Sequence, residues 1–335
     1  MNRRGLFSRW PAAWLGLAVL ATAAVSLTIG SAPLSLAQVM AGLFGDAGTD
    51  RVALIVQDIR LPRLLVGMAV GATLGMAGAA LQGLLRNPLA DPGVIGVSAS
   101  AGLGAVIAIY YGAAAASSYA VPAFAMGGAL ISTLLLYGLV RRDTSVLTLI
   151  LVGIGISSLS GALTSLAMNL SPNPFSLSDM VLWLLGSLAN RSFTDLWIAL
   201  PFMGLGWVCL MAGAPFLRAL SLGEETAATM GVNLIRVRGL VVVGTALSVG
   251  AAVAVSGTIG FIGLIVPHIL RPLVGHDPAR LLVPSALGGA LLILLADMGV
   301  RLAPTDRELK IGVLTALIGA PFFLFLVLKT RRAMR

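Results

Sequence analysis

Thr258-Ile259-Gly260-Phe261-Ile262-Gly263-Leu264-Ile265-Val266-Pro267-His268-Ile269-Leu270 is the stretch on which the topology turns. It is uncharged but short, whereas a bilayer core of ~30 Å takes ~20 residues at about 1.5 Å of rise each. Pro267 and His268 within it suit a segment packed inside a bundle rather than one facing lipid. Counted as a span, it makes the total even. Left out, it inverts the two spans that follow and moves Lys329, Arg331, Arg332 and Arg335 to the other side of the membrane.

Nine longer uncharged runs surround it, at roughly 12–30, 64–84, 94–112, 119–140, 146–168, 196–216, 239–257, 281–300 and 311–328. With ten spans and the N-terminus inside, the inner side receives 15 of the 22 basic residues. The outer side keeps Arg51, Arg60, Arg63, Arg191, Arg301, Arg307 and Lys310. That asymmetry follows the positive-inside rule, so the sequence predicts an all-α membrane protein of about ten transmembrane helices with both termini cytoplasmic. The first run follows Arg3, Arg4 and Arg9, but its apolar stretch exceeds the ~7 to 15 residues of a signal peptide and no A-x-A site follows. An uncleaved helix is expected there.

Composition agrees. The chain has 335 residues, 58% hydrophobic and 10% charged, against about 25% charged in an ordinary soluble domain. Its 40 glycines and 16 prolines have no Gly-X-Y period, which excludes collagen. Cys209 is the single cysteine and forms no internal disulfide; with His268 and His276 it falls short of a four-ligand zinc site. No metal site is expected. The net charge of +9 is read as topology rather than as affinity for nucleic acid.

Three segments between spans read as short helices. Ser35-Leu36-Ala37-Gln38 and Ser221-Leu222-Gly223-Glu224 both fit the capping box, in which the hydroxyl accepts from the N3 amide and the N3 side chain returns to the N-cap amide. The second predicts an inner helix over 222–230, closed by Gly231, with 232–235 as a further turn. Glu224 and Glu225 at its N-terminus suit the macrodipole, and a polar helix between two long spans is where a partner would push. The third helix, 176–188, lies outside and is too short to cross.

Gly71-Ala72 with Ala77-Gly78, and Gly250-Ala251 with Ser256-Gly257, share a G-A-x4-small-G pattern in spans of opposite direction. An inverted repeat of spans two to five and seven to ten would produce it; so would close packing of small residues.

Groups for chemistry are scarce. Of the 13 acids only Asp297 lies well inside a span, one turn from Arg301, where an i, i+4 pair is expected. His268 is expected to be bonded within the bundle. Nothing converges as a nucleophile with a base or as paired carboxylates, so no enzyme is expected. The shortage of intramembrane acids also disfavours an ion-coupled secondary transporter, the competing class. A wide neutral wall passes a bulky solute without holding it, and the energy must come from a partner.

Five motifs in order resemble the FecCD-type permease subunits of bacterial ATP-binding-cassette importers for iron siderophores, haem and cobalamin. They are Arg60-Leu61-Pro62-Arg63, the run from Gly83-Leu84-Leu85-Arg86-Asn87-Pro88 to Asp91-Pro92-Gly93, the segment 220–227, the run 260–268, and Gly312-Val313-Leu314-Thr315 through Pro321-Phe322-Phe323. The resemblance covers nearly the whole chain. It departs at Leu309-Lys310-Ile311-Gly312, where many relatives carry Leu-Pro-Val-Gly.

The resemblance implies one permease domain over 1–335 in the bacterial inner membrane, paired with a second copy of itself, with the passage between the two. It also implies two cytoplasmic ATPase subunits that carry the ATP and magnesium, a periplasmic substrate-binding protein, and no cofactor on this chain. Residues 220–235 would hold the coupling helices, with Leu222, Gly223, Glu224, Glu225, Thr226, Ala227, Ala228, Thr229, Met230 and Gly231 entering the ATPase. Asn87, Leu89, Thr144 and Ser145 match cytoplasmic gate positions, and Arg60, Arg63 and Arg301 match arginines that meet the binding protein. The expected cargo is an iron chelate, ferric siderophore or haem, with cobalamin as the alternative.

Overall fold

Leu61–Leu84, the second span, forms the centre of the bundle. It is continuous with Arg51–Leu54 and the π-helical turn Ile55–Arg60, giving a helix of 34 residues whose most apolar window is 83% buried. Pro62 sits in the first turn of Leu61–Leu84, where proline costs little. The structure, a computed structural model, describes residues 11–46, 50–140, 146–305 and 308–333, and these contain helices and no strand.

All ten expected spans are helical. They are Pro11–Thr28, Leu61–Leu84, Val97–Tyr110, Ala120–Val140, Val146–Asn169, Phe193–Leu220, Leu234–Ser256, Ile262–Leu270, Pro278–Leu302 and Ile311–Ala333. Eight are long and apolar enough to cross a membrane; the third and eighth are the short ones. Both short spans start after a break, at a residue in the left-handed region: Gly96 at φ 82° and Phe261 at φ 69°. For phenylalanine that conformation is strained. It is held because Gly319 of span ten lies against the Phe261 ring; a Cβ there would come within 2.3 Å of it.

The packing is paired. Span two packs on nine and eight, span seven packs on four and three, and two and seven touch each other. The break before span three lies against Gly153 of span five, as the break before span eight lies against Gly319 of span ten. These correspondences are what an inverted repeat of spans two to five and seven to ten produces. At the tightest crossing, a Cβ on Gly71 would stand 2.3 Å from the Gly289 carbonyl oxygen, so the two backbones touch. Spans five and ten, equivalent in this scheme, have windows only 22% buried.

Between spans, Leu36–Phe44 has the expected capping box of Ser35 and Gln38. The outer helix is Pro174–Leu184, capped by Asn173 and ending four residues before the expected 188. The inner segment differs more. Span six runs on to Leu220, and the Ser221 hydroxyl donates back to the Arg218 carbonyl at 2.7 Å instead of capping forward. The inner helix is therefore Glu224–Thr229, entered through Gly223 at φ 107° with no side-chain cap. Nor is 232–235 a separate turn: Asn233 caps span seven, which starts at Leu234 and takes in Arg236 and Arg238.

Candidate functional site

Three regions of the bundle hold its polar groups. At the outer end, Arg63 from the first turn of span two reaches Asp297 of span nine, donating from Nε at 2.9 Å and Nη2 at 2.7 Å to Oδ1. Asp297, 2% exposed, also pairs with Arg301 at 3.0 Å, the expected i, i+4 contact. Arg63 pairs in addition with Glu308, on the connection to span ten. Arg301 donates to the carbonyls of Ser26 and Ile29 at 3.0 and 2.7 Å. Arg60, buried, donates to the carbonyls of Leu27 and Ala32. Arg63 and Arg301 thus meet at Asp297 while Arg60 is bonded separately to the main chain at Leu27 and Ala32, and the donors of all three are largely engaged by their own chain. They line an open cavity of ≈ 330 Å³ together with Gly30, Ser31 and Glu308. The buried carboxylate shared by two guanidiniums explains how a charged group is tolerated there.

At the inner end, Glu224–Thr229 buries Ala227 and exposes Glu225, Thr226, Ala228 and Thr229, flanked by Leu222 at 62% and Met230 at 61% exposure. Gly231, at φ 82°, ends the segment; its amide and that of Val232 return to the carbonyls of Ala228 and Ala227. Glu224 is not free for a partner: it pairs at 2.8 Å with Arg238, which is buried in span seven. Arg218, just before this helix, pairs at 2.7 Å with Asp277, the N-cap of span nine. Burial acts to raise the Asp277 pKa, but the Arg218 hydrogen bond, the amides of Arg280 and Ala279 and the Arg218 charge outweigh it and hold the carboxyl below its ordinary value. Glu224 thus ties this short helix to span seven, and Arg218 ties the end of span six to the start of span nine.

Asn87 is exposed and Leu89 half-buried in the loop after span two, where the Asn87 side chain accepts from the Leu89 amide at 2.9 Å. Gln82, not singled out from sequence, anchors this loop: 1% exposed, its amide donates to the carbonyls of Ala90 and Leu264, and its oxygen accepts from Arg271. A buried glutamine in an apolar span was the signal for it. Thr144 and Ser145 lie outside the described residues.

The third region is the exposed face of span five. Gly155, Ser158, Ala162, Ser165 and Asn169 are all exposed and recur at helical spacing, forming one narrow stripe of small and polar residues. Lipid does not favour such a stripe; a partner helix or a wet passage does. Around the break before span eight, an open cavity of ≈ 700 Å³ is lined by Thr258, Gly260, Gly312, Ala316 and Ala320 among others. His268 meets Phe322 edge to face, with ring centroids 6.2 Å apart. Among the described residues no group of His, Cys, Asp and Glu is arranged to hold a metal ion.

Residues 18–329 match the FecCD transport family. The chain is 41% identical over 290 residues to the vitamin B12 import system permease protein BtuC of Salmonella paratyphi A, covering 86% of this chain and 88% of that one. It is equally similar to BtuC of Citrobacter koseri, with 86% and 87% covered. A solved structure described as an inward-facing conformation of a transporter assigned to the metal-chelate ABC type superposes with a TM-score of 0.84 at 36% identity, over 96% of this chain and 99% of that one. A family match over nearly all of the sequence, with relatives of this identity along most of its length, means that the chain belongs to the FecCD transport family, as a multi-pass permease of an ABC importer.

Proposed function

We propose that the cargo is a corrinoid, vitamin B12 or a close analogue, carried across the bacterial inner membrane into the cytoplasm. The observation that carries this is the 41% identity, over most of both chains, to vitamin B12 permeases of two genera. The family resemblance alone points to a ferric siderophore or haem; the relatives favour the alternative. Both are bulky metal chelates, which is also the cargo class in the description of the solved relative.

Two copies would pair so that the stripe on span five faces the passage. Two ATPase subunits, holding ATP and magnesium, would grip the helices Glu224–Thr229 from the cytoplasm, and a loaded substrate-binding protein would dock at the outer arginine rim. ATP binding closes the ATPase pair, the coupling helices move, and the loop of Asn87 and Leu89, braced by Gln82, shifts the inner gate. This is alternating access, a population shift driven by differential contacts in the two states. The neutral wall suits release, because a tight site would retain the cargo. Specificity then resides in the binding protein.

The test is uptake of labelled cyanocobalamin into proteoliposomes holding the permease with its ATPase and binding protein, with ferric siderophore and haem as competitors. ATP-dependent accumulation of cobalamin, unaffected by the iron compounds, is expected. Uptake of an iron chelate alone would return the assignment to the iron reading, and uptake driven by an ion gradient without ATP would remove the ABC mechanism.

A further inference from the structure

We propose that Glu308 is a resident occupant of the anion-binding fork of Arg63, and that an acidic side chain of the docking protein takes its place when the importer assembles. The inference rests on reading the outer rim as the docking surface. Arg63 has two sides. Its inner side is fixed by Asp297, a buried carboxylate that Arg301 shares. Its outer side holds Glu308, whose carboxylate accepts from Nη1 at 3.1 Å and also from Nη2.

Glu308 differs from every other partner of the three rim arginines. Asp297 is buried and rooted in span nine, and Arg60 and Arg301 give their other donors to main-chain carbonyls between Ser26 and Ala32 and to the Ser26 hydroxyl. Glu308 alone among them is an anion with its side chain 35% exposed, carried on the connection between spans nine and ten and bordering the open cavity. Replacing one carboxylate with another at this fork conserves the charge of the site and its two hydrogen bonds. The exchange therefore costs little beyond moving the connection. A neutral partner gains nothing there, because removing Glu308 would leave the outward donors of Arg63 without their anion. An acidic partner that does not reach the fork meets the Glu308 charge as repulsion. Glu308 thus selects for a carboxylate at one position, a specificity built from repulsion as well as attraction.

The connection also leads into the passage. Three residues after Glu308, span ten begins at Ile311, and Gly312 is packed so closely that a Cβ would stand 2.3 Å from the Leu185 carbonyl oxygen and 2.7 Å from that of Thr258. Displacing Glu308 loosens the segment that feeds this contact, beside the break before span eight.

The experiment titrates the substrate-binding protein, recovered with the chain from its own membrane, onto nanodisc-embedded wild type, Glu308→Gln, Arg63→Ala and the double variant, at low and high salt. Glu308→Gln is expected to tighten docking about two- to fivefold at low salt, the range of an exposed charge pair. Arg63→Ala is expected to weaken it about tenfold or more. In the Arg63→Ala background, Glu308→Gln should tighten docking by less than it does beside Arg63, because only the repulsion between Glu308 and the acidic partner is then left to relieve. Asp297 keeps Arg301 as partner in the Arg63 variant, so the buried carboxylate is not orphaned and the fold is retained. Unchanged or weaker docking of Glu308→Gln, beside a weakened Arg63→Ala, overturns the exchange and leaves the docking surface standing. Tightening by Glu308→Gln that is equally large without Arg63 also overturns it, as a general charge effect. If Arg63→Ala docks like wild type, it is the docking surface itself that fails.

Discussion

Glu224 and Glu225 are adjacent in sequence but do different work. Glu224 neutralises Arg238, a buried guanidinium on span seven, whereas Glu225 is exposed on the same short helix. Glu225→Lys should therefore lower uptake and weaken ATPase attachment while the detergent-solubilised permease melts as wild type. Glu224→Lys should also lower the melting temperature, because it sets two cations against each other; leaving one buried charge unpaired costs about 3 kcal/mol or more where burial is complete. Thermal unfolding beside co-purification of the ATPase separates the two, and identical melting of both variants would deny Glu224 its tie. Sequence could place both acids on an inner helix but could not divide their roles, since Arg238 is 14 residues away and was read as lying before a later-starting span. The same limit governs Ser221. Its spacing to Glu224 fits a capping box, yet span six continues to Leu220 and claims the hydroxyl for its own C-terminus. By contrast, Asp297 with Arg301 was legible because an i, i+4 pair is set by one helix alone.

Helices pack here through absence of side chains. Spans two and nine cross at Gly71 and Gly289, where the added Cβ would fall 2.3 Å and 2.0 Å from the opposing carbonyl oxygens. No rotamer relieves a clash with backbone, so the spans must separate, and overpacking of this kind costs about 1 to 3 kcal/mol or more. Gly71→Val is expected to lower the melting temperature and the yield of folded permease. Gly16→Val on span one, with nothing within 4 Å, is expected to be neutral. Differential scanning fluorimetry of the two variants checks this, and equal stability would mean that the crossing is looser than the geometry states. At this scale the long spans were legible from uncharged runs of bilayer length. The starts of the two short spans were not, because the breaks at Gly96 and Phe261 are held by spans five and ten, far along the chain. The repeat likewise showed only as a faint glycine pattern, since its substance is which spans touch, and that is tertiary.

For the molecule as a whole, the decisive contrast is between two exposed faces of one bundle. Span four presents Leu130, Ile131, Leu134 and Leu135, all more than half exposed and all apolar, as a lipid-facing helix does. Span five, whose window is 22% buried against 33% for span four, exposes leucines of the same kind, Leu159, Leu163 and Leu166 among them, but beside them it presents Gly155, Ser158, Ala162, Ser165 and Asn169 along one line. Hydroxyl and amide groups in hydrocarbon cost free energy unless they find partners, so this line suits a wet passage or a partner helix better than lipid. In a cysteine-free background made by Cys209→Ser, single cysteines at Ser158, Ser165 and Asn169 should react with a membrane-impermeant, charged thiol reagent in the assembled importer. A cysteine at Leu134 should not. ATP with the binding protein should change the rates at the three span-five sites in a graded way from Asn169 inward, because alternating access moves the wetted part of the passage along the helix. Uniform resistance at all three, matching Leu134, would place span five in lipid and move the passage elsewhere. Reactivity that ignores ATP would keep the passage there but take away its gating. The stripe was present in the sequence at helical spacing, but a chain of 40 glycines offers many such lines, and only exposure distinguishes the one that the bundle leaves uncovered.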